Sequence, residues 1–175
     1  MISIPVEDEV EIRQSCRRVY AFLSDREHLP AWMAGVSRAS RESPGPIGVG
    51  TRYRVVGRMM GRRVESLYEV TAYEPEQVFA GRLTSSLFEF EETYRFGEER
   101  GKTTVQLTAE AHPGGKLALL SPLLAVAVPR QVRADHRRLK AILETRARKT
   151  KPPQGPPPSA DVAENPDEEA EPTEG

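Results

Sequence analysis

From Val6 to Arg13 apolar residues alternate with charged ones, Val6, Val10 and Ile12 sharing one parity, and this period of two predicts a half-buried strand. Ser15 can cap the next segment, where Val19, Phe22 and Leu23 fall at helical spacing. Asp25 offers a second cap before a short turn carrying Leu29 and Trp32, so two short helices are expected after strand one. The run Ser43 to Gly50, SPGPIGVG, is punctuated by Pro and Gly and reads as a loop.

Beyond it the chain reads as strand after strand. The expected inward sets are Tyr53, Val55, Gly57 and Met59; then Val64, Ser66, Tyr68 and Val70; then Phe79 and Leu83; then Phe88, Phe90, Glu92, Tyr94 and Phe96; then Val105, Leu107, Ala109 and Ala111. Turns are expected at Met60-Gly61-Arg62 and at Glu99 to Lys102, which makes about six strands in hairpin order. From about Gly115 to Arg148, Leu117, Leu120, Leu124, Val128, Val132, Leu139 and Leu143 are spaced for one amphipathic helix. Pro122 and Pro129 each remove a backbone donor and should kink or split it, with Ser121 a cap for the piece that starts at Pro122.

The fold class expected is therefore α+β, a helix-grip arrangement in which a curved antiparallel sheet of six to seven strands wraps a long C-terminal helix. Such a sheet exposes more apolar inner face than one helix covers, so bulky side chains, the short helices or a ligand must fill the rest. Small inward residues (Gly57, Ser66, Ala109, Ala111) beside large aromatic ones predict an apolar pocket with a few polar groups.

Charge divides the chain in two. Residues 151–175 hold one Lys against Asp161, Asp167 and five Glu, a net of −6, so residues 1–150 carry +5 of the formal total of −1. A domain over 1–150 and a disordered Pro-rich and acidic tail over 151–175 are expected. The basic residues are dispersed and not interleaved with aromatics, which argues against nucleic acid as a partner. Cys16 is the single cysteine, so an intrachain disulfide and a Cys-based metal site are ruled out. The N-terminus shows no secretory pattern, and a cytoplasmic location is expected. Leu117 to Val128, interrupted by Ser121 and Pro122, falls short of the roughly 20 apolar residues a spanning helix needs.

The segments FLSDREHLPAWMAGV, VGTRYRV, GRRVESLYEVTAYEP and HPGGKLALLSPLLAVAVPRQVRADHRRLKAILE resemble, in order and spacing, the START-like (SRPBCC) superfamily, close to its polyketide cyclase/dehydratase group. The resemblance covers roughly Val6 to Glu144. It implies the helix-grip fold and a hydrophobic small-molecule partner, and it is shared by lipid carriers, aromatase/cyclases and coenzyme Q-binding proteins, so it does not choose between a binding protein and an enzyme.

Glu92 lies on an aromatic face between Phe90 and Tyr94, where desolvation would raise its pKa and suit it to acid or base work. The ordinary alternative is a bulge, a strand end or a bond to backbone. His136 sits between Val132 and Leu139 on the apolar stripe, either as a ligand contact or proton relay or as a plain core histidine without an orienting partner. Trp32, Tyr53, Val55, Tyr68, Phe88, Phe90, Glu92, Tyr94, Leu120 and Leu124 would line the pocket, although a cavity wall and a solid core share this pattern. His28 and His112 are isolated, no metal spacing occurs, and neither a metal nor a cofactor is expected. Gly48-Val49-Gly50 precedes a strand instead of a helix and reads as a turn. Arg130, Arg133, Arg137 and Lys140 follow helical spacing, as a solvated face or as a basic stripe for anionic lipid or the acidic tail; peripheral membrane contact stays open on this basis.

Overall fold

The computed structural model describes the backbone of residues 2–150 and the side chains of residues 2–145; the expected tail at 151–175 lies outside the described residues. Seven strands form one antiparallel sheet: β1 (Ile4–Ile12), β2 (Val36–Arg41), β3 (Arg52–Met59), β4 (Arg62–Glu74), β5 (Val78–Ser85), β6 (Phe88–Glu99) and β7 (Lys102–Pro113). Their order across the sheet is β1-β7-β6-β5-β4-β3-β2. Every neighbour except the β1–β7 pair is thus also a neighbour in sequence, as hairpin connections require. The parities hold: Tyr53, Val55, Tyr68, Val70, Phe79, Tyr94, Val105 and Leu107 are all buried on the concave side.

After β1 come α1 (Cys16–Ser24), a 3-10 turn (Arg26–His28) and α2 (Leu29–Trp32). Ser15 occupies the cap position of α1 but makes no side-chain cap bond. Glu98, carried on the long β6–β7 hairpin, does that work instead, accepting from the Cys16 amide at 2.7 Å. Asp25 caps as expected, its carboxylate accepting from the Glu27 amide at 3.1 Å. Strand β2 had no counterpart in the alternation pattern. Its sequence VSRASR is polar because no side chain on this edge strand is fully buried.

The long helix α3 spans Ser121–Thr150 and follows a 3-10 segment, Gly115–Leu120. Pro122 therefore falls in the first helical turn, where its missing donor costs nothing. Pro129 sits inside the helix without splitting it, so of the expected kink or split the split does not occur. The acceptor it deprives is the carbonyl of Ala125, an exposed residue, so water can supply the donor. By length and composition Gly115–Thr145 passes for a membrane-crossing segment. It nevertheless packs Val132, Asp135, His136, Leu139 and Leu143 against the sheet, which makes it the central helix of the grip.

Polar ties fix α3 in place. The Arg13 amide donates to Glu144 at 3.0 Å and the Gln14 side chain to the Leu143 carbonyl at 3.3 Å, while the Ala34 amide donates to Asp135 at 3.1 Å. Leu139, fully buried among these ties, contributes about 1.5–3 kcal/mol by the area it removes from water.

Candidate functional site

Beneath the first half of α3 the sheet does not close on the helix, and an apolar cavity of about 260 Å³ remains. The short helices supply Leu29 and Met33 to its wall, the sheet supplies Val55, Val64, Leu83, Phe88 and Phe90, and the helical segment supplies Leu117, Leu124 and Val128. Space exists because Gly57, Ser66 and Ala111 are small where neighbouring positions are large. Gly57 has a further reason to be glycine: a Cβ there would stand 2.4 Å from the Gly35 carbonyl oxygen.

A polar cluster occupies the interior next to this cavity. Arg26 and Glu92 form an ion pair with side chains 1% and 5% exposed. Tyr68 donates to Glu92 Oε1 at 2.9 Å, Tyr94 donates to Oε2 at 3.1 Å, and Arg26 Nη2 donates to the Tyr68 oxygen at 3.0 Å. Three rings enclose the guanidinium, at 4.6 Å from Phe79, 4.8 Å from Tyr68 and 5.3 Å from Tyr94. Burial by itself would lower the Arg26 pKa, but Glu92, Tyr68 and Tyr94 outweigh it and leave the group above its ordinary value. Burial drives the Tyr68 and Tyr94 hydroxyls well above theirs. Gly81 makes the cluster sterically feasible, since a Cβ on it would lie 2.0 Å from the Tyr68 hydroxyl.

The expectation of a lone, desolvated Glu92 therefore needs correction: it is charge-paired and accepts from three side chains, as a buried carboxylate must. His136 also has the partner it seemed to lack. Its Nδ1 bonds Asp8 Oδ2 at 2.6 Å, with the imidazole 2% exposed. A void of about 10 Å³ adjoins the cavity here, lined by Trp32, Glu92, Tyr94, Asp135 and His136 and sharing Met33, Phe90, Val132 and Asp135 with the larger space. Trp32 Nε1 is buried and has no acceptor among the described residues.

Of the expected pocket residues, Val55, Phe88, Phe90 and Leu124 line the cavity, and Trp32, Phe90, Glu92 and Tyr94 line the small void. Tyr53, Tyr68 and Leu120 line neither. The first two are core residues, burial pushing the Tyr53 hydroxyl up to about 12, and Leu120 lies in the 3-10 segment, half-buried. His28 stacks on Phe22 at 4.2 Å, and His112 lies 3.6 Å from Glu110, outside the site. Arg130, Arg133 and Arg137 are exposed; Arg133 reaches Asp8 at 3.8 Å and Lys140 reaches Glu144 at 3.9 Å. No group of three potential metal ligands occurs among the described residues. Sequence reasoning missed Arg26 and Asp8. Asp8 carried a signal, for it shares the parity of Val6, Val10 and Ile12.

A curved seven-stranded sheet gripping a terminal helix over an apolar cavity defines a START-like helix-grip protein. The chain belongs to the family described as polyketide cyclase/dehydrase and lipid transport, which matches residues 3–144. No curated protein sequence matches it. Among solved structures, a Thermus thermophilus protein aligns with a TM-score of 0.70 at 23% identity, over 82% of this chain and 99% of that one. The Zhui aromatase/cyclase from a Streptomyces species aligns at 0.73 and 16%, over 86% and 99%. A START superfamily protein from Mycobacterium smegmatis aligns at 0.70 and 14%, over 81% and 97%. At these identities the likeness establishes the fold.

Proposed function

We propose that this chain binds and carries a hydrophobic small molecule of the lipid, quinone or polyketide type beneath α3. The observation that supports this reading is the apolar cavity of about 260 Å³. An apolar cavity of about 150 Å³ takes a benzene, so by proportion this one suits a guest of roughly ten carbons, or the end of a longer one. Native mass spectrometry of the recombinant protein tests it, with saturation by a naphthylamine probe as a second readout. One retained guest or one probe site per chain is expected, and protein that emerges empty and takes up no probe rules the carrier out.

Exposed apolar residues next in sequence to the cavity lining support loading at an anionic lipid surface. Leu119, Leu123 and Val126 on the helical segment and Met60 at the β3–β4 turn are exposed at 82%, 66%, 50% and 75%. Around them Arg58, Arg62, Lys116 and Arg130 form no ion pair among the described residues. Apolar side chains with unpaired cations near them in sequence complement a negatively charged membrane. Flotation with vesicles of mixed phosphatidylglycerol and phosphatidylcholine should recover the protein at low salt and lose most of it with pure phosphatidylcholine; equal recovery from both removes the electrostatic part.

The Asp8–His136 pair favours a second reading, an enzyme of the cyclase/dehydratase type. A histidine oriented through Nδ1 by a carboxylate presents Nε2 as a base, and the cavity would hold a reactive chain folded beside it. On this reading His136→Gln abolishes turnover of an aromatic polyketide-like substrate while leaving its binding within about twofold; unchanged turnover excludes it.

A further inference from the structure

Resting on the carrier reading, we propose that the small void is a subsite for a hydroxyl group, so that the preferred guest is a neutral molecule with a chain or ring system in the cavity and an alcohol or phenol at its inner end. The void, about 10 Å³, is close to the smallest space that holds one oxygen, and Met33, Phe90, Val132 and Asp135 line both it and the cavity. Two features of its lining call for an oxygen there. Trp32 is 2% exposed, yet its Nε1–H has no acceptor among the described residues, a condition buried donors rarely tolerate. His136 commits Nδ1 to Asp8 at 2.6 Å, which in the neutral ring places the proton on Nδ1 and leaves Nε2 as an acceptor.

The two rings line the same void with their centroids 6.2 Å apart. A hydroxyl matches this pair, accepting from Trp32 and donating to His136. An ether or ketone oxygen satisfies only Trp32, and an ammonium satisfies only His136. A carboxylate meets Glu92 and Asp135, which line the same void, and is disfavoured by their charge.

The test uses three probes of matched chain length: 1-nonanol, its isostere 1-methoxyoctane, and nonanoate. Affinities come from calorimetry, and emission from Trp32, the single tryptophan, reports contact at the subsite. The alcohol is expected to bind about tenfold more tightly than the ether, the equivalent of about 1.4 kcal/mol, with nonanoate weakest and the Trp32 emission shifting most with the alcohol. Asp8→Asn is the decisive variant, because Asp8 lies at the edge of the interior, its side chain 15% exposed. An amide there can donate to Nδ1, move the ring proton to Nε2 and erase the preference for the alcohol, whereas His136→Phe removes it outright. Equal binding of alcohol and ether by the unmodified protein overturns the subsite and leaves the cavity standing. A preference that survives both variants overturns the role of His136. If none of the three probes binds, the cavity reading fails and the subsite with it.

Discussion

Replacing Glu92 by Gln changes one atom's chemistry and almost no volume, so its effect isolates the charge. In the folded protein Arg26, 1% exposed, would then lie among Phe79, Tyr68 and Tyr94 with no anion beside it. Removing one partner of a buried ion pair costs about 3–5 kcal/mol, because the charge left behind has lost its water without compensation. The rings return part of this, about 0.5–2 kcal/mol for a guanidinium over aromatic faces, which places the expected loss toward the lower end of that range. A chain of this size loses about 2–4 °C of Tm per kcal/mol, so a loss of about 3 kcal/mol predicts a fall of about 6–12 °C.

Arg26→Met should cost a similar amount by stranding the carboxylate. The double variant, Arg26→Met with Glu92→Gln, is the informative one. It leaves no charge, and the Gln amide can accept from one of Tyr68 and Tyr94 through its oxygen and donate to the other's hydroxyl oxygen through its NH2, so the double variant should be more stable than either single one. Urea unfolding followed by Trp32 emission and by circular dichroism measures all four corners of the cycle, provided the m-values agree. Additive single losses, or a loss below about 1 kcal/mol for Glu92→Gln, would refute the claim that the two charges hold each other in the interior.

Three further outcomes follow from the same geometry. Gly81→Ala places a methyl 2.0 Å from the Tyr68 hydroxyl, which Arg26 and Glu92 pin from the other side, and should destabilise by about 1–3 kcal/mol or more in the same urea assay. Ala111→Phe builds a ring into the cavity wall and should cut probe affinity at least about tenfold without lowering Tm, read by probe titration and thermal melt together. Burial, with smaller contributions from Tyr73, Glu74 and Cys16, also raises the Tyr20 hydroxyl, so Tyr20, Tyr68 and Tyr94 all hold their protons more tightly folded than unfolded. The stability this linkage provides is complete below about pH 10, the unfolded value, and falls as pH rises above it. Phenolate absorbance should therefore appear cooperatively with alkaline unfolding, and a smooth titration of every tyrosine in the intact fold would contradict it.

Strands β3 to β7 were legible because each buries one face, and burial on one face writes a period of two into the sequence. Edge strand β2 was not, since its side chains are only partly covered and nothing forces VSRASR to alternate. Ser15 had the right chemistry for a cap, but Glu98 reaches the Cys16 amide from a strand 82 residues away, a contact that no local rule contains. Glu92 could be placed on the apolar face by parity alone, while its cation could not be found that way. Arg26 stands in the turn D-R-E-H, no different in pattern from Arg17 or Arg18, and only the path of the chain after α1 brings it inward. A stricter use of the rule that buried charges come paired would have required some cation opposite Glu92 without saying which.

The division of α3 explains why an apolar stretch and a polar cluster coexist under one helix. Every buried residue on it lies from Val132 onward, where Val132, Asp135, His136, Leu139 and Leu143 meet the sheet. Before that point Leu117, Leu124 and Val128 face the cavity and Leu119, Leu123 and Val126 face outward, so none has a complete set of neighbours within the protein. Helix formation over such a stretch gains little from tertiary burial, which is where most helices find their stability. A guest that fills the cavity supplies the missing contacts to Leu117, Leu124 and Val128, and by linkage whatever binds the ordered helix also stabilises it. On the proposed carrier reading, the second half of α3, tied through His136–Asp8 and Glu144–Arg13, would stay fixed while the first half gains contacts from the guest.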